Sequence, residues 1–436
     1  MQASKLQFWK SGERLSTIKI VYIYALVFAT ILMSKSVYFG ILNLSTFRWA
    51  YYALIVIGFV LLCSSMKVEI TGFLRSMGLV ALLLVNALFH LGDMSSSMLN
   101  EVIGFALDLV MVSVMAAYVS KRTFMRAYVN CIVVIALISL PCVAIANFNE
   151  SFAFSLVSNS YDWTTPFGYS FYYTWGINGT INVRNSGVFW EPGAFVGFLI
   201  VGMLFLLYGK TQCKHAPAKM LVLVVTLLTT RSTTGYFLLV FMLLVMYRDF
   251  LFLFTKGKRN SAFGLLVGVV VVVASVLVVV SSGNIGDKMS GVSYLGDGYA
   301  NESAETRFSD VVNSLQLSLQ AGIMGLGDTL SRAAAESSLG ITDNSVGLLH
   351  LVYTYGWLFA LAYYYVFFSG LSKLFSGCSG KTLASIVVIM IVLFATEGLY
   401  WLPTYLAIAF LAFGNSEQEE ELRSKEPAKG VCGAPL

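Results

Sequence analysis

The chain has 436 residues, of which 57% are hydrophobic, 14% aromatic and only 12% charged, and its mean hydropathy is +0.77. Soluble domains carry roughly 25% charged residues, so this chain lacks the polar surface needed to face water and belongs in a bilayer. A net charge of +5, scattered along the sequence, excludes a nucleic-acid-binding surface.

Apolar runs near the ~20 residues that cross a bilayer begin near Ile18, Trp49, Met77, Asn100, Tyr128, Gly193, Lys219, Thr234, Ala262, Asn344, Thr382 and Trp401, the last being short. Lipid offers no partner to backbone polar groups, so each run closes its hydrogen bonds internally as a helix. The predicted fold class is all-α, a polytopic transmembrane bundle of about 12 helices. One integral membrane domain spans 1–414. The stretch 415–436, with Glu417, Glu419, Glu420, Glu421 and Glu426, reads as a solvated, disordered tail.

Cytoplasmic loops retain Lys and Arg. With the N-terminus inside, 21 of the 28 basic residues fall on the cytoplasmic side, and Lys35, Arg48, Arg184, Arg231, Lys288, Arg307 and Arg332 fall outside. Both termini are then cytoplasmic, and the first helix reads as an uncleaved anchor, because no small-residue cleavage site follows it. Cys63, Cys131 and Cys142 fall in apolar runs and Cys213, Cys378 and Cys432 in cytoplasmic segments. That distribution predicts no disulfide framework, and the spacing matches no zinc site.

Two exterior connections are long, 147–191 and 281–343. Connections of this length are usually functional or disordered, and their apolar and aromatic content predicts that both fold onto the bundle. Tyr161, Trp163, Phe171, Tyr172 and Trp175 in the first suit an interfacial aromatic belt or the faces of sugar rings. In the second, Phe308, Val311, Val312, Leu315 and Leu319 recur at helical spacing. They predict an amphipathic helix over 303–320, lying on the membrane or capping a cavity. Arg307 sits in its first turn, where negative charge is favoured, and Glu302, Glu305 or Asp310 is available to pair with it.

Within the spans, Glu101 and Asp108 are seven apart and share a helix face. An acid inside a span is functional by default, and Asp108 reads as lining a cavity or bonding a neighbouring helix. His90 reads as an interfacial histidine and His350 as a packed core residue. Gly322, Gly325 and Gly327 have no following lysine, which argues against nucleotide binding.

The segment that carries chemistry is Val183-Arg184-Asn185-Ser186-Gly187-Val188-Phe189-Trp190-Glu191-Pro192-Gly193-Ala194-Phe195, at the exterior mouth of the sixth run. Pro192 suits a first helical turn, Glu191 would sit at the positive helix end, and the glycines permit close approach of a ligand. A structural turn in which Arg184 pairs with Glu191 is the other reading.

This stretch resembles the Arg-x-x-Gly-x-Phe-x-x-Pro signature of the O-antigen polymerase and ligase superfamily. Three further segments fit its order: Thr230-Arg231-Ser232-Thr233-Thr234-Gly235, Arg307 followed by Gly325-Leu326-Gly327, and Asp343-Asn344-Ser345 leading into Tyr355-Gly356. The correspondence covers about Arg184 to Gly356. It implies a membrane glycosyltransferase similar to the C-type fold, with two long periplasmic loops, in the bacterial inner membrane. The implied substrate is an undecaprenyl-diphosphate-linked oligosaccharide, with a chain-length-regulating co-polymerase and membrane lipids as further partners. In the ligase branch a histidine stands immediately before the Asn-Ser pair. Here that residue is Asp343, which favours a polymerase.

On that resemblance, Arg184 and Arg307 match the charge developing on a diphosphate leaving group, because guanidinium offers bidentate donors and a fixed positive charge. Glu191 and Asp343 are alternative bases for the acceptor hydroxyl, and Arg231, Arg332, Asn344 and Trp190 are candidate substrate contacts. No cofactor and no metal are expected, since the sequence holds no Asp-x-Asp pair. Two alternatives stand beside the polymerase: a ligase that moves finished chains onto lipid A core, and a polysaccharide-lipid flippase or secondary transporter. Transporters place their sites near the bilayer midplane, whereas the conspicuous arginines here lie at the outer face, and the sequence has no evident internal repeat.

Overall fold

A computed structural model describes residues 18–36, 44–63, 70–149, 173–177, 180–209, 213–254, 311–327 and 347–414. Helices α1 (Ile18–Leu32), α2 (Leu44–Cys63), α3 (Thr71–Phe89), α4 (Ser96–Tyr118) and α5 (Lys121–Phe148) lead to a hairpin of β1 (Tyr173–Ile177) and β2 (Thr180–Arg184). Then follow α6 (Pro192–Tyr208), α7 (Ala216–Thr229), α8 (Thr233–Val245) and α9 (Tyr247–Phe254). After α10 (311–320) come α11 (Gly347–Leu374), α12 (Gly380–Thr396) and α13 (Pro403–Leu411). A helix occupies each apolar run that falls among the described residues. The run near Ala262 and the tail from 415 lie outside them.

Among the described residues, four helices are long and apolar enough to cross a membrane: Thr71–Phe89, Leu99–Tyr118, Lys121–Phe148 and Gly347–Leu374. The pair α8 and α9, bent by 81°, makes a fifth if counted as one span. The surface agrees with this. Val60, Leu61, Leu84, Leu88, Leu244 and Leu361 are all at least half exposed, and outward apolar faces of that extent suit lipid rather than water. Helix α6 differs from the rest. Ala194 through Leu206 are all buried, as expected for a helix that is hydrophobic all round, and α6 is therefore the centre of the bundle.

Helix α5 starts at Lys121, earlier than its apolar run suggests, because the Ser120 hydroxyl caps it by accepting from Thr123 N at 3.3 Å and so lets polar residues form the first turn. The hairpin is an addition to the all-α expectation. Its strands pair antiparallel with Tyr173 opposite Arg184 and Ile177 opposite Thr180, which leaves the two residues Asn178-Gly179 as the connection. Asn-Gly between short β-forming runs is a strong hairpin signal.

Helix α11 breaks at Gly356, where φ is 84° and ψ is 166°. A break frees backbone groups that hydrocarbon leaves unsatisfied, and the 322–326 segment answers them. Leu326 N donates to the Tyr353 carbonyl at 2.8 Å, and Trp357 N and Leu358 N donate to Gly322 and Ile323 carbonyls at 3.3 Å each. From α3, the Asn86 side-chain amide donates to the Tyr355 carbonyl at 2.9 Å. Helix α10 docks beside the break through its small face: Ser314 and Ser318 are fully buried, and the Trp357 indole donates to the Ser318 carbonyl at 3.0 Å. Its Val311, Leu315 and Leu319 stripe faces outward, so the part of the predicted amphipathic helix that is described meets the bundle with Ser314, Ser318 and Leu317, the last packed with Tyr353.

Candidate functional site at one end of the bundle

The segment from Arg184 to Phe195 is pinned from several sides. Arg184 ends β2, and its Nε donates to the Thr230 carbonyl at 3.1 Å. Asn185 is fully buried and its side-chain amide donates to the Ser139 hydroxyl at 3.0 Å and the Thr229 hydroxyl at 2.9 Å. Its carbonyl oxygen accepts from Gly187 N at 3.0 Å. Gly187 has φ 57°, and a Cβ there would lie 2.9 Å from the Phe195 ring, so both the turn and the packing require glycine. Phe189 stacks on Phe198 with centroids 4.1 Å apart, and Trp190 N donates to the Lys35 carbonyl at 3.2 Å. Helices α1, α5, α6 and α7 thus fix this strap together.

Glu191 is the N-cap of α6 and forms an ion pair with Lys35. The same ammonium reaches Glu397 at 3.4 Å, at the end of α12. Burial alone would lower the Lys35 pKa. The two carboxylates, through charge and hydrogen bonds, more than offset it and hold the ammonium above its ordinary value. Ser34 ties the same end of α1 to the start of α13, its hydroxyl lying 3.0 Å from the Thr404 hydroxyl. Lys35 sits in the left-handed region at φ 64°, a placement that only the folded turn after α1 reveals.

Beside the strap, Arg231 occupies the corner between α7 and α8 at φ 49° and donates to the Asn147 side-chain oxygen at 3.3 Å. Ser232 caps α8 by accepting from Gly235 N at 3.4 Å. Arg184 Nε meets the Thr230 carbonyl, one residue before Arg231, which brings two arginines to one corner.

At the same end a cavity of about 540 Å³ opens between α2, α4, α11 and the α12–α13 connection, lined among others by Arg48, Glu101, Asp108, His350, Tyr400 and Trp401. His350 Nδ1 and the Tyr400 hydroxyl are 2.7 Å apart. Burial, foremost, keeps that phenol well above the usual tyrosine range. Asp108 accepts from the Tyr52 hydroxyl of α2 at 2.8 Å, so it both lines a cavity and bonds a neighbouring helix. His350 is half-buried on the cavity wall rather than packed in the core. His90 is buried, with Nε2 at 3.0 Å from the Met324 carbonyl.

Of the residues singled out by sequence, Arg184, Trp190, Glu191 and Arg231 gather at this end. Arg307, Arg332, Asp343 and Asn344 lie outside the described residues, as do the aromatic residues 161–172. Lys35, Arg48, Glu397 and Tyr400 were not anticipated as site residues. Among the described residues no three His, Cys, Asp or Glu side chains converge as a metal-ligand set. No protein-family model matches the chain, and no curated protein matches it.

Proposed function

We propose that the chain is a polymerase of O-antigen or a related surface polysaccharide, an inverting membrane glycosyltransferase that needs no metal. In this reading it is a C-type-like bundle of about 12 spans in the bacterial inner membrane, with both termini cytoplasmic and the Arg184 end periplasmic. The observation that supports it best is the strap itself: a buried asparagine and four helices hold it, and Arg184 opens it, bonded to the Thr230 carbonyl beside Arg231. A rigid, paired guanidinium site suits a diphosphate, whose oxygens accept bidentate hydrogen bonds.

Arg184 and Arg307 then hold the diphosphate of the donor lipid, with Arg231, Arg332, Asn344 and Trp190 contacting diphosphate or sugar. Glu191 or Asp343 takes the proton of the acceptor hydroxyl. The acceptor oxygen bonds the anomeric carbon from the face opposite the leaving group, the bond from that carbon to the phosphate oxygen breaks, and undecaprenyl diphosphate departs with the electron pair. The growing chain moves from its carrier onto a new lipid-linked repeat. A chain-length-regulating co-polymerase is the expected protein partner.

A ligase that delivers finished chains to lipid A core makes similar demands, and His350 on the cavity wall is the observation that favours it. The experiment is to incubate purified protein with defined undecaprenyl-diphosphate repeat units in the presence of chelator and resolve the products on a gel. A ladder without added core supports the polymerase, and product only with core supports the ligase. Absence of covalent product in both leaves a transporter. Arg184→Lys is expected to slow ladder formation by tenfold or more, about 1.4 kcal/mol of transition-state stabilisation, and a ladder unchanged from that variant would remove the role given to Arg184.

A further inference from the structure

We infer that the cavity between α2, α4, α11 and the α12–α13 connection is a subsite for one uncharged pyranose of the saccharide. Its place in catalysis rests on the polymerase reading above, while its ligand chemistry follows from the cavity alone.

Three observations converge. The Nε of Arg48 is buried and has no hydrogen-bond partner among the described residues, although buried donors are almost always satisfied and leaving one unmade is costly. Asp108 is 2% exposed and accepts from Tyr52 through one oxygen, and a carboxylate has further acceptor capacity. A donor and an acceptor, both ionic and both inside a helical bundle, thus border one space of about 540 Å³, within the ~300–1,000 Å³ common for small-molecule sites. Ionisable groups at such depth usually mark a ligand path.

The third observation is the aromatic lining. Trp401 stands at the mouth, 39% exposed, with Phe105, Tyr355 and Tyr400 further in. A pyranose has an apolar C–H face for such rings and a rim of hydroxyls that donate and accept at once. Arg48 answers the accepting side and Asp108 the donating side. An anionic ligand fits poorly, since Glu101 and Asp108 set two carboxylates against one guanidinium. An acyl chain would strand Arg48 and Asp108 in hydrocarbon.

The test uses the full chain in lipid nanodiscs and saturation-transfer NMR with glucose, galactose, mannose, rhamnose, fucose, N-acetylglucosamine and N-acetylgalactosamine, and with glucuronate and inorganic phosphate beside them. At least one neutral sugar is expected to bind, and its affinity to fall on the order of tenfold in Trp401→Ala and in Asp108→Asn. Trp401 lies at the rim, so its variant reports even where the buried Asp108 change impairs folding. No neutral sugar sensitive to Trp401→Ala, or binding of glucuronate or phosphate alone, overturns the subsite. The ladder assay separates the two ideas. A wild-type ladder that both variants leave unchanged sinks the subsite and keeps the polymerase. Sugar binding that depends on Trp401 in a protein making no ladder keeps the subsite and sinks the polymerase.

Discussion

Glu191 and Glu397 meet at one ammonium, that of Lys35, which pairs with the first and lies 3.4 Å from the second. Three helix ends are joined there: the exit of α1, the start of α6 and the exit of α12. Glu397 is nearly buried, whereas Glu191 is 41% exposed in its side chain, so the pairs contribute unequally. Lys35→Met removes the ammonium that the two carboxylates share. It is expected to destabilise the protein by about 1–3 kcal/mol, between the range for exposed pairs and that for breaking a buried one. Thermal unfolding in detergent measures this, and an unchanged midpoint would show that the triad is dispensable.

The same ammonium gives a pH prediction. Its pKa in the folded protein is raised, and the unfolded reference is about 10.4. A group raised on folding contributes fully below its unfolded pKa and loses that contribution as pH rises through the folded value. The stability difference between wild type and Lys35→Met should therefore stay flat with respect to this lysine from neutral pH to the ~10.4 reference and shrink only above it. A difference that declines steadily between neutrality and mild alkali would contradict the assignment.

Gly325 and Gly356 face each other across the break in α11. Both have positive φ, 80° and 84°, and a Cβ on either would collide with backbone of the other's segment. Gly356→Ala is expected to cost about 2–4 kcal/mol, combining left-handed strain with overpacking. Loss of monodisperse protein, or a clear drop in unfolding midpoint, is the expected result, and a normal midpoint would place the strain elsewhere.

Asn185 makes its side-chain bonds in a fully buried position. Asn185→Ala strands the buried Gly187 amide and takes one bond each from the Ser139 and Thr229 hydroxyls, which keep their own donated bonds to the Ala136 and Thr226 carbonyls. About 2–3 kcal/mol of stability should be lost, together with ladder formation, because the Arg184 strap is anchored there. Comparing unfolding with turnover tests both halves, and a variant of full activity would show that the anchor is unnecessary.

Gly104 offers a gentler probe of the cavity. A Cβ at this position would meet the tip of the Arg48 side chain, which is flexible and can move aside. Gly104→Ala should leave stability equal or slightly higher, since alanine is about 1 kcal/mol better than glycine inside a helix. Neutral-sugar binding should nonetheless weaken, because the guanidinium is displaced. Unaltered binding in a stable variant would separate Arg48 from recognition.

Much of the helical frame was legible in the sequence, because spans announce themselves by apolar length. Part of the strap was legible too: Pro192 opens α6 and Glu191 stands at its N-cap, whereas Gly187, read as room for a ligand, makes a left-handed turn packed on Phe195. What periodicity could not supply were meetings between distant helices. Lys35 looked like one exterior cation among seven, and its partners lie on helices begun far down the chain. Arg48 was hidden for the same reason, since only the packing of α2 against α4 brings it beside Asp108. The hairpin was overlooked although Asn178-Gly179 marks it, because apolar runs drew the reading toward helices.

The central helix α6 has only 17 residues, and an α-helix of that length rises about 26 Å, less than the ~30 Å of a typical hydrocarbon layer. Lipid need not bend to that length, because Ala194 to Leu206 are buried on every side and the 28-residue α5 and α11 are long enough to meet the bilayer in its place.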